Sequence, residues 1–106
     1  MVSLGLLVRL EAKPGKEQEV AAFLSQAVQM ANQEATTPVW FAFRLGPSTF
    51  GVFDAFSDEH GRQTHLNGPI AKALMANAPN LFSVAPSIEK VEILGAKLPQ
   101  AAGHAA

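Results

Sequence analysis

The feature that most constrains the fold is the order in which apolar patterns follow one another along the chain. Residues 4–12 alternate between apolar and other side chains with a period of two, which indicates a strand. After the break at Lys13-Pro14-Gly15, apolar residues recur every three or four positions until about Glu34, as on one face of a helix. The first third of the chain therefore predicts a strand followed by an amphipathic helix.

Two further strands are predicted to form a hairpin. Residues 39–45 and 50–56 are rich in aromatic and branched side chains, and the short connection between them holds a turn at residues 46–48. Strands joined by so short a turn usually pair with each other. Residues 88–94 alternate again and predict a fourth strand.

Helical signals lie between the third and fourth strands. Ser57 is expected to cap a short helix, with Asp58 and Glu59 at the positive end of its dipole. Residues 67–69, Asn-Gly-Pro, then end that helix and begin a longer one. We expect the longer helix to stop before Pro79, because proline disfavours helical geometry in the residue that precedes it.

The resulting order, βαββαβ, predicts an α+β domain of ferredoxin-like type with a four-stranded antiparallel sheet and both helical regions on one face. The other face would have no cover. Yet Leu7 adds an apolar side chain to that face, and residues 39–45 are apolar at every position except Arg44. A large uncovered apolar surface usually marks an interface, so we expect a homodimer in which two sheets stack into a barrel.

Length and composition limit the classes of function. At 106 residues the chain is expected to form one domain, with residues 99–106 as a flexible C-terminal tail. The absence of Cys excludes disulfides and thiol nucleophiles and fits a cytoplasmic location. We expect no membrane contact, because the apolar run at the start is too short for a membrane span. The net charge is -1 without a basic stripe, which argues against nucleic acid as a partner.

Short motifs spread along the chain resemble those of a known family. They are Lys13-Pro14-Gly15, Phe-Asp-Ala-Phe-Ser-Asp-Glu at residues 53–59, His-Leu-Asn-Gly-Pro at 65–69, and the segments 68–75, 86–91 and 96–99. Together they are similar to the antibiotic biosynthesis monooxygenase family, including its quinol-monooxygenase-like branch. The resemblance implies that residues 1–98 form a dimeric α+β barrel domain. It also implies oxygenation of polycyclic phenols or quinols by O2 without flavin, haem or metal.

Two departures from the family pattern narrow the chemistry that the resemblance implies. Ile70 stands where many relatives carry a second His, so any role of that residue is missing here. The haem-degrading relatives use an Asn, a Trp and an iron-binding His, and the corresponding positions here are Val8, His65 and Met75. We therefore expect no haem degradation by that mechanism, no bound cofactor and no metal.

Five residues are candidates for the site. His65 is the proposed catalytic base, because imidazole titrates near neutral pH and a cofactor-free oxygenase must make its substrate electron-rich; a His that only hydrogen-bonds a carbonyl is the alternative. Trp40 could stack on a flat ligand, although burial at the dimer interface is favoured. Arg44 and Asp54 could polarise a quinone carbonyl, although a cross-strand ion pair is favoured. Met75 could line an apolar pocket.

Two hypotheses about function remain. The first is a monooxygenase that acts with O2 on a hydroxylated aromatic or quinol, with these small molecules and a second copy of the chain as its partners. The second is a non-catalytic dimeric protein that binds small molecules or responds to stress, favoured by the missing second His and the few convergent polar groups. An RNA-recognition module lacks its basic-aromatic signature here, and no motif of a hydrolase, nucleotide or metal site is present.

Overall fold

The fold is an antiparallel sheet with helices packed against one of its faces. The structure, a computed structural model, describes residues 1–99, so the predicted tail beyond Pro99 lies outside the described residues. Its elements are β1 (Leu4–Glu11), α1 (Glu17–Ala31), β2 (Val39–Arg44), β3 (Thr49–Phe56), α2 (Glu59–Leu66), α3 (Pro69–Leu81) and β4 (Ser87–Glu92). The strand order is β2-β3-β1-β4, with antiparallel neighbours throughout. This arrangement confirms the predicted ferredoxin-like α+β fold.

The core lies between the sheet and the helices. Leu6, Val8 and Leu10 of β1 are buried at alternate positions, as the period of a strand requires. Val20 and Leu24 of α1 are buried in the same core. Burial of each such side chain is worth about 1.5 to 3 kcal/mol, so this layer supplies most of the energy that holds helices to sheet.

The helix-facing positions of β3 contain one exception to this apolar pattern. Phe50, Val52 and Phe56 are buried there, and Asp54 occupies the remaining position of the same series with only 1% of its surface exposed. A carboxylate at a core position is costly unless other groups compensate for its lost hydration. The burial of Asp54 therefore indicates that polar groups lie near it inside the domain.

The opposite face of the sheet is apolar and uncovered in the single chain. Leu7, Phe53 and Phe41 are neighbours across three adjacent strands, and Phe41 keeps 58% of its surface exposed. The ring of Phe43 covers Gly51 and leaves no room there for an added Cβ. We call the surface formed by Leu7, Phe41, Phe43 and Phe53 the open sheet face.

The cap of the short helix α2 differs from the prediction. Asp58, not Ser57, is the capping residue, and its side chain accepts a hydrogen bond from the backbone N–H of Gly61 at 2.9 Å. The backbone of Asp58 is extended, as a capping residue requires. The carbonyl of Ser57 instead accepts a hydrogen bond from the Ser3 hydroxyl at 3.0 Å, which ties the end of β3 to the start of the chain.

The expected end of the long helix was also wrong, because α3 continues through Pro79 to Leu81. A proline in a helix removes one backbone donor, and near the last turn that loss affects a single hydrogen bond. At the same end of α3, the Lys13 ammonium group donates to the carbonyl of Pro79 at 2.5 Å, and its charge suits the C-terminal end of a helix. Within residues 1–99, no helix combines the length and the apolar character needed to cross a membrane.

Candidate functional site

Helix α2 brings His65 into the interior. At Gly61 the helix passes close to the loop between α1 and β2, since an added Cβ would lie 2.9 Å from the carbonyl oxygen of Thr36. His65 follows four residues later and therefore lies on the same face of the helix. Its ring is 6% exposed and packs at 5.5 Å from the ring of Phe56, measured between centroids.

Two carboxylates flank the His65 ring. Nδ1 lies 2.6 Å from Oε1 of Glu34, and Nε2 lies 3.0 Å from Oδ2 of Asp54. Glu34 is held in turn by the Thr37 hydroxyl, which donates to the same Oε1 at 2.8 Å. We call Glu34, Asp54 and His65 the His65 cluster; it joins the loop after α1, the sheet and α2.

The geometry of the cluster favours a charged imidazole ring. A neutral imidazole has only one N–H, whereas both nitrogens of His65 face acceptors. Burial by itself lowers the pKa of His65, but the hydrogen bonds and charges of Asp54 and Glu34 outweigh burial and raise that pKa above its ordinary value of 6.5. The two carboxylates thus favour the protonated form of His65.

The contacts of His65 with the two carboxylates also limit its ability to bind a metal. A histidine binds a metal through a free ring nitrogen, and both nitrogens of His65 are engaged by carboxylates on opposite sides of the ring. Across the described residues 1–99, no group of three or more His, Cys, Asp or Glu side chains is arranged to hold a metal ion.

The charge on His65 predicts a dependence of stability on pH. Because the folded-state pKa lies above the unfolded value near 6.5, the stabilisation from His65 is fully present below pH 6.5. It is lost as the pH rises through the folded-state pKa. Urea unfolding between pH 6 and 9 should therefore show a declining free energy of unfolding for the wild type. A curve just as steep in a His65→Gln variant would contradict this assignment.

Two spaces are found next to Leu24 and Trp40. The inner cavity, about 40 Å³, lies between sheet and helices, and its lining includes Val8, Leu24, Trp40, Asp54, His65 and Ile70. The outer groove, about 380 Å³, is open to solvent between α1 and β2, and its lining includes Leu24, Val28, Trp40, Ala42, Arg44 and Phe50. Leu24 and Trp40 line both spaces and separate them.

Two residues that line the inner cavity have buried polar atoms without a protein hydrogen-bond partner. Nε1 of Trp40 has no acceptor, and neither carboxylate oxygen of Asp54 has a hydrogen-bond donor, although Oδ2 lies at ion-pair distance from Nε2 of His65. The two residues are opposite each other in the pairing of β2 with β3, and both line the inner cavity. A buried polar group left unpaired costs about 1 to 3 kcal/mol. A bound hydroxyl group can accept from Trp40 and donate to Asp54, and so satisfy both.

The structure thus brings together three of the five predicted site residues. His65, Asp54 and Trp40 line one cavity. Arg44 is separate: it lies opposite Phe50, with its guanidinium group 4.7 Å from the centre of that ring, and it lines the outer groove. Met75 lines neither space and is 53% exposed.

Two of the favoured interpretations need correction. The register places Trp40, not Arg44, opposite Asp54, so the expected ion pair between Arg44 and Asp54 does not form. Trp40 packs against the buried core between sheet and helices, so it is not on the open sheet face where a dimer contact was expected. Side chains alternate along β2, and Trp40 falls on the face opposite Phe41 and Phe43.

The sequence did not reveal Glu34, a member of the His65 cluster, or Thr37, which donates a hydrogen bond to it. Glu34 marked only the end of the first helix, and it lies 31 positions before its partner His65. Thr37 lay in a break between predicted elements. No motif spacing signals such contacts, because they depend on how the loop after α1 packs against α2.

Comparisons with known proteins agree with the fold. The fold defines the chain as a ferredoxin-like α+β protein, and structures of this class include two proteins named as candidate antibiotic biosynthesis monooxygenases. One, from Caulobacter crescentus, is 20% identical with a TM-score of 0.74, covering 89% of this chain and 92% of the other. The other, from Nitrosomonas europaea, is 10% identical with a TM-score of 0.77, covering 87% and 90%. Identities this low show a shared fold alone.

A further structure places the chain in a family. It is a protein of unknown function from Nitrosomonas europaea that is 63% identical, with a TM-score of 0.93, over 95% of this chain and 98% of the other. The chain belongs to the same family as this protein. No protein-family model matches the chain, and no curated protein matches it.

Proposed function

We propose that the protein is a monooxygenase that acts with O2 on a hydroxylated aromatic or quinol. The observation that carries the proposal is that Trp40, with an unpaired donor, and Asp54, with unpaired acceptors, line one cavity together with His65. These groups suit a phenolic hydroxyl, which both accepts and donates a hydrogen bond. The fold shared with the two candidate monooxygenases is consistent with this activity.

The proposed roles follow from which atoms remain available. Both nitrogens of His65 contact carboxylates, so His65 in its charged form has no lone pair with which to take a proton from a substrate. Asp54 still has Oδ1 without a partner. We therefore propose that Asp54 contacts the substrate hydroxyl. His65, in its protonated form, is the partner of Asp54 in the transfer of the proton. The imidazolium fixes the carboxylate and favours the phenolate that forms.

The proposed chemistry needs no reductant beyond the substrate. A phenol with a C–H group in the para position can react with one O2 to give a quinone and one water. One oxygen atom enters the ring, the other leaves as water, and the two hydrogens of that water come from the hydroxyl and the C–H group. Deprotonation of the hydroxyl makes the ring electron-rich, which is the step that the protein can promote. The proposed reaction therefore takes its electrons from the substrate alone.

Oxygen uptake tests this function. A panel of quinols and polycyclic phenols is incubated with the protein under ¹⁸O2, and uptake and product mass are followed together. Monooxygenation gives one O2 consumed per quinone, with one labelled oxygen atom in the quinone. Oxygen uptake no faster than in the protein-free reaction, for every compound of the panel, would refute the proposal. Saturable binding without uptake would instead favour the second hypothesis, a non-catalytic binding protein.

We further propose that the protein is a homodimer joined through the open sheet face. In a single chain this face leaves Phe41 58% and Leu7 38% exposed, next to the partly buried Phe53. Contiguous apolar patches of this kind are uncommon on monomers.

The proposal predicts a mass near twice 11.2 kDa in sedimentation at micromolar concentration. Phe41→Lys should shift the protein to monomer, because a charge would be buried in the contact. Val84→Lys, at a residue 64% exposed in the loop before β4, is the matched control and should remain dimeric. A monomeric wild type would refute the proposal.

A further inference from the structure

The inner cavity is small and mostly apolar. Every residue of its lining other than Trp40, Asp54 and His65 has an aliphatic or phenyl side chain. Its volume of about 40 Å³ is far below the roughly 150 Å³ of an apolar cavity that accepts benzene. An aromatic ring can therefore enter only if part of the lining moves, whereas a molecule of two heavy atoms fits without any movement.

The polar and apolar parts of the cavity lining lie at different positions along the sheet. Trp40 and Asp54 are opposite each other on β2 and β3. Val52 precedes Asp54 by two residues, so it lies on the same face of the sheet, about 7 Å away along the strand. Val8 and Ile88 continue this level across β1 and β4, and all three residues line the cavity. We call Val8, Val52 and Ile88 the apolar row.

Dioxygen is the reactant that suits the apolar row. It is uncharged and has no hydrogen-bond donor, so its transfer from water to apolar surroundings is favourable. A water molecule in a cavity needs about two to four polar partners, and the side chains of the row offer none. Apolar cavities in proteins also take up xenon, a gas with the same lack of polar groups. The row therefore favours an apolar gas over water.

We propose that the apolar row of the inner cavity is a binding site for dioxygen. This inference rests on the proposed function for the use of the bound gas, and it adds a place for the second reactant beside Asp54, the proposed contact of the substrate hydroxyl. Ile88 is 41% exposed and belongs to β4, an edge strand of the sheet. The row thus reaches the protein surface at this edge, which gives a small gas a short route from solvent.

Methyl NMR under oxygen pressure tests the site without any turnover. Because O2 is paramagnetic, it speeds the relaxation of protons close to its binding site. Spectra of the wild type are recorded under O2 and under N2 at equal pressure. We expect the enhancement at the methyl groups of Val8 and Val52 to be severalfold larger than at Val20. All three valines are buried, but Val20 does not line the cavity, so it reports the general solubility of O2 in the core.

Variants that fill the cavity locate the gas. Val52→Ile adds one methyl group to the apolar row and should remove most of the enhancement at Val8. Val8→Ile is the second variant, read at Val52, in case the first does not fold. Val28→Ile makes the same change in the outer groove and should leave the enhancement at Val8 and Val52 unchanged. In oxygen uptake, Val52→Ile should raise KM for O2 severalfold more than KM for the aromatic substrate.

The NMR result and the uptake result keep the two proposals apart. Enhancement at Val8 and Val52 no larger than at Val20, or enhancement that survives in the folded Ile variants of the row, would overturn the gas site. If oxygen uptake is nevertheless observed, the proposed function stands without it. Local enhancement that the Ile variants remove, together with no uptake on the whole panel, would support the gas site and refute the proposed function.

Discussion

Replacement of Asp54 by Asn is expected to lower kcat/KM for oxygen uptake by about 10²- to 10⁴-fold, the range typical of a lost proton-transfer group. Asn has nearly the same shape, and its amide oxygen can still accept from Nε2 of His65. It has no negative charge, however, and is too weak a base to take the phenolic proton. The measurement is steady-state oxygen uptake on the best substrate of the panel, with circular dichroism to establish that the variant is folded.

Glu34→Gln is the matched control for this prediction. Both variants remove one carboxylate from His65, but only Asp54 lines the inner cavity. We expect Glu34→Gln to keep kcat/KM within about tenfold of the wild type, because Glu34 affects the reaction only through His65. An Asp54→Asn variant with undiminished kcat/KM would contradict the assignment. Equal losses in the two variants would indicate that the cluster acts only through stability.

His65→Ala is expected to lower the free energy of unfolding by about 3 to 5 kcal/mol at pH 7, the cost of removing one partner from a buried ion pair. The variant leaves Glu34 and Asp54 with no cation between them, at 14% and 1% exposure. A domain of this size is stable by only about 5 to 15 kcal/mol, so the loss is a large share of the total. Urea unfolding followed by circular dichroism measures it.

Two further variants separate the charge effect from simple truncation. His60→Ala changes an exposed histidine on the same helix and should cost no more than about 0.5 kcal/mol. Neutralising both acids in the His65→Ala background, by Glu34→Gln and Asp54→Asn, should recover much of the lost stability, because no unpaired charge then remains. If the single His65→Ala variant unfolds within 1 kcal/mol of the wild type, the cluster is not a buried ion pair.

The fold could be predicted because each element has a local signal. The alternation of Leu6, Val8 and Leu10 marks a strand, and the hairpin turn fixes which strands are adjacent. The errors were made where a local rule competed with a contact distant in sequence. Pro79 signalled the end of a helix, but Lys13, 66 residues away in the chain, stabilises the turn that contains it.

The site was only partly predictable, for a related reason. His65 stood out because of its chemistry, yet its two partners come from a loop and from the centre of the sheet. The predicted partner of Asp54 was wrong. Arg44 was chosen because it lies on the adjacent strand of the hairpin, but the residue opposite Asp54 is Trp40, four positions earlier in β2. The contacts with Glu34 and Asp54 that raise the pKa of His65 form only when α2 packs against the sheet and the loop after α1.

The position of Trp40 gives this protein a built-in optical reporter. The chain has one Trp and no Tyr, so its ultraviolet fluorescence comes from this single indole. The ring packs against the buried residues between the sheet and the helices, and it borders both the inner cavity and the outer groove. The fluorescence of the unlabelled protein therefore reports the environment of the proposed site itself. A change of emission wavelength on unfolding will report the opening of that site together with the loss of the core around it.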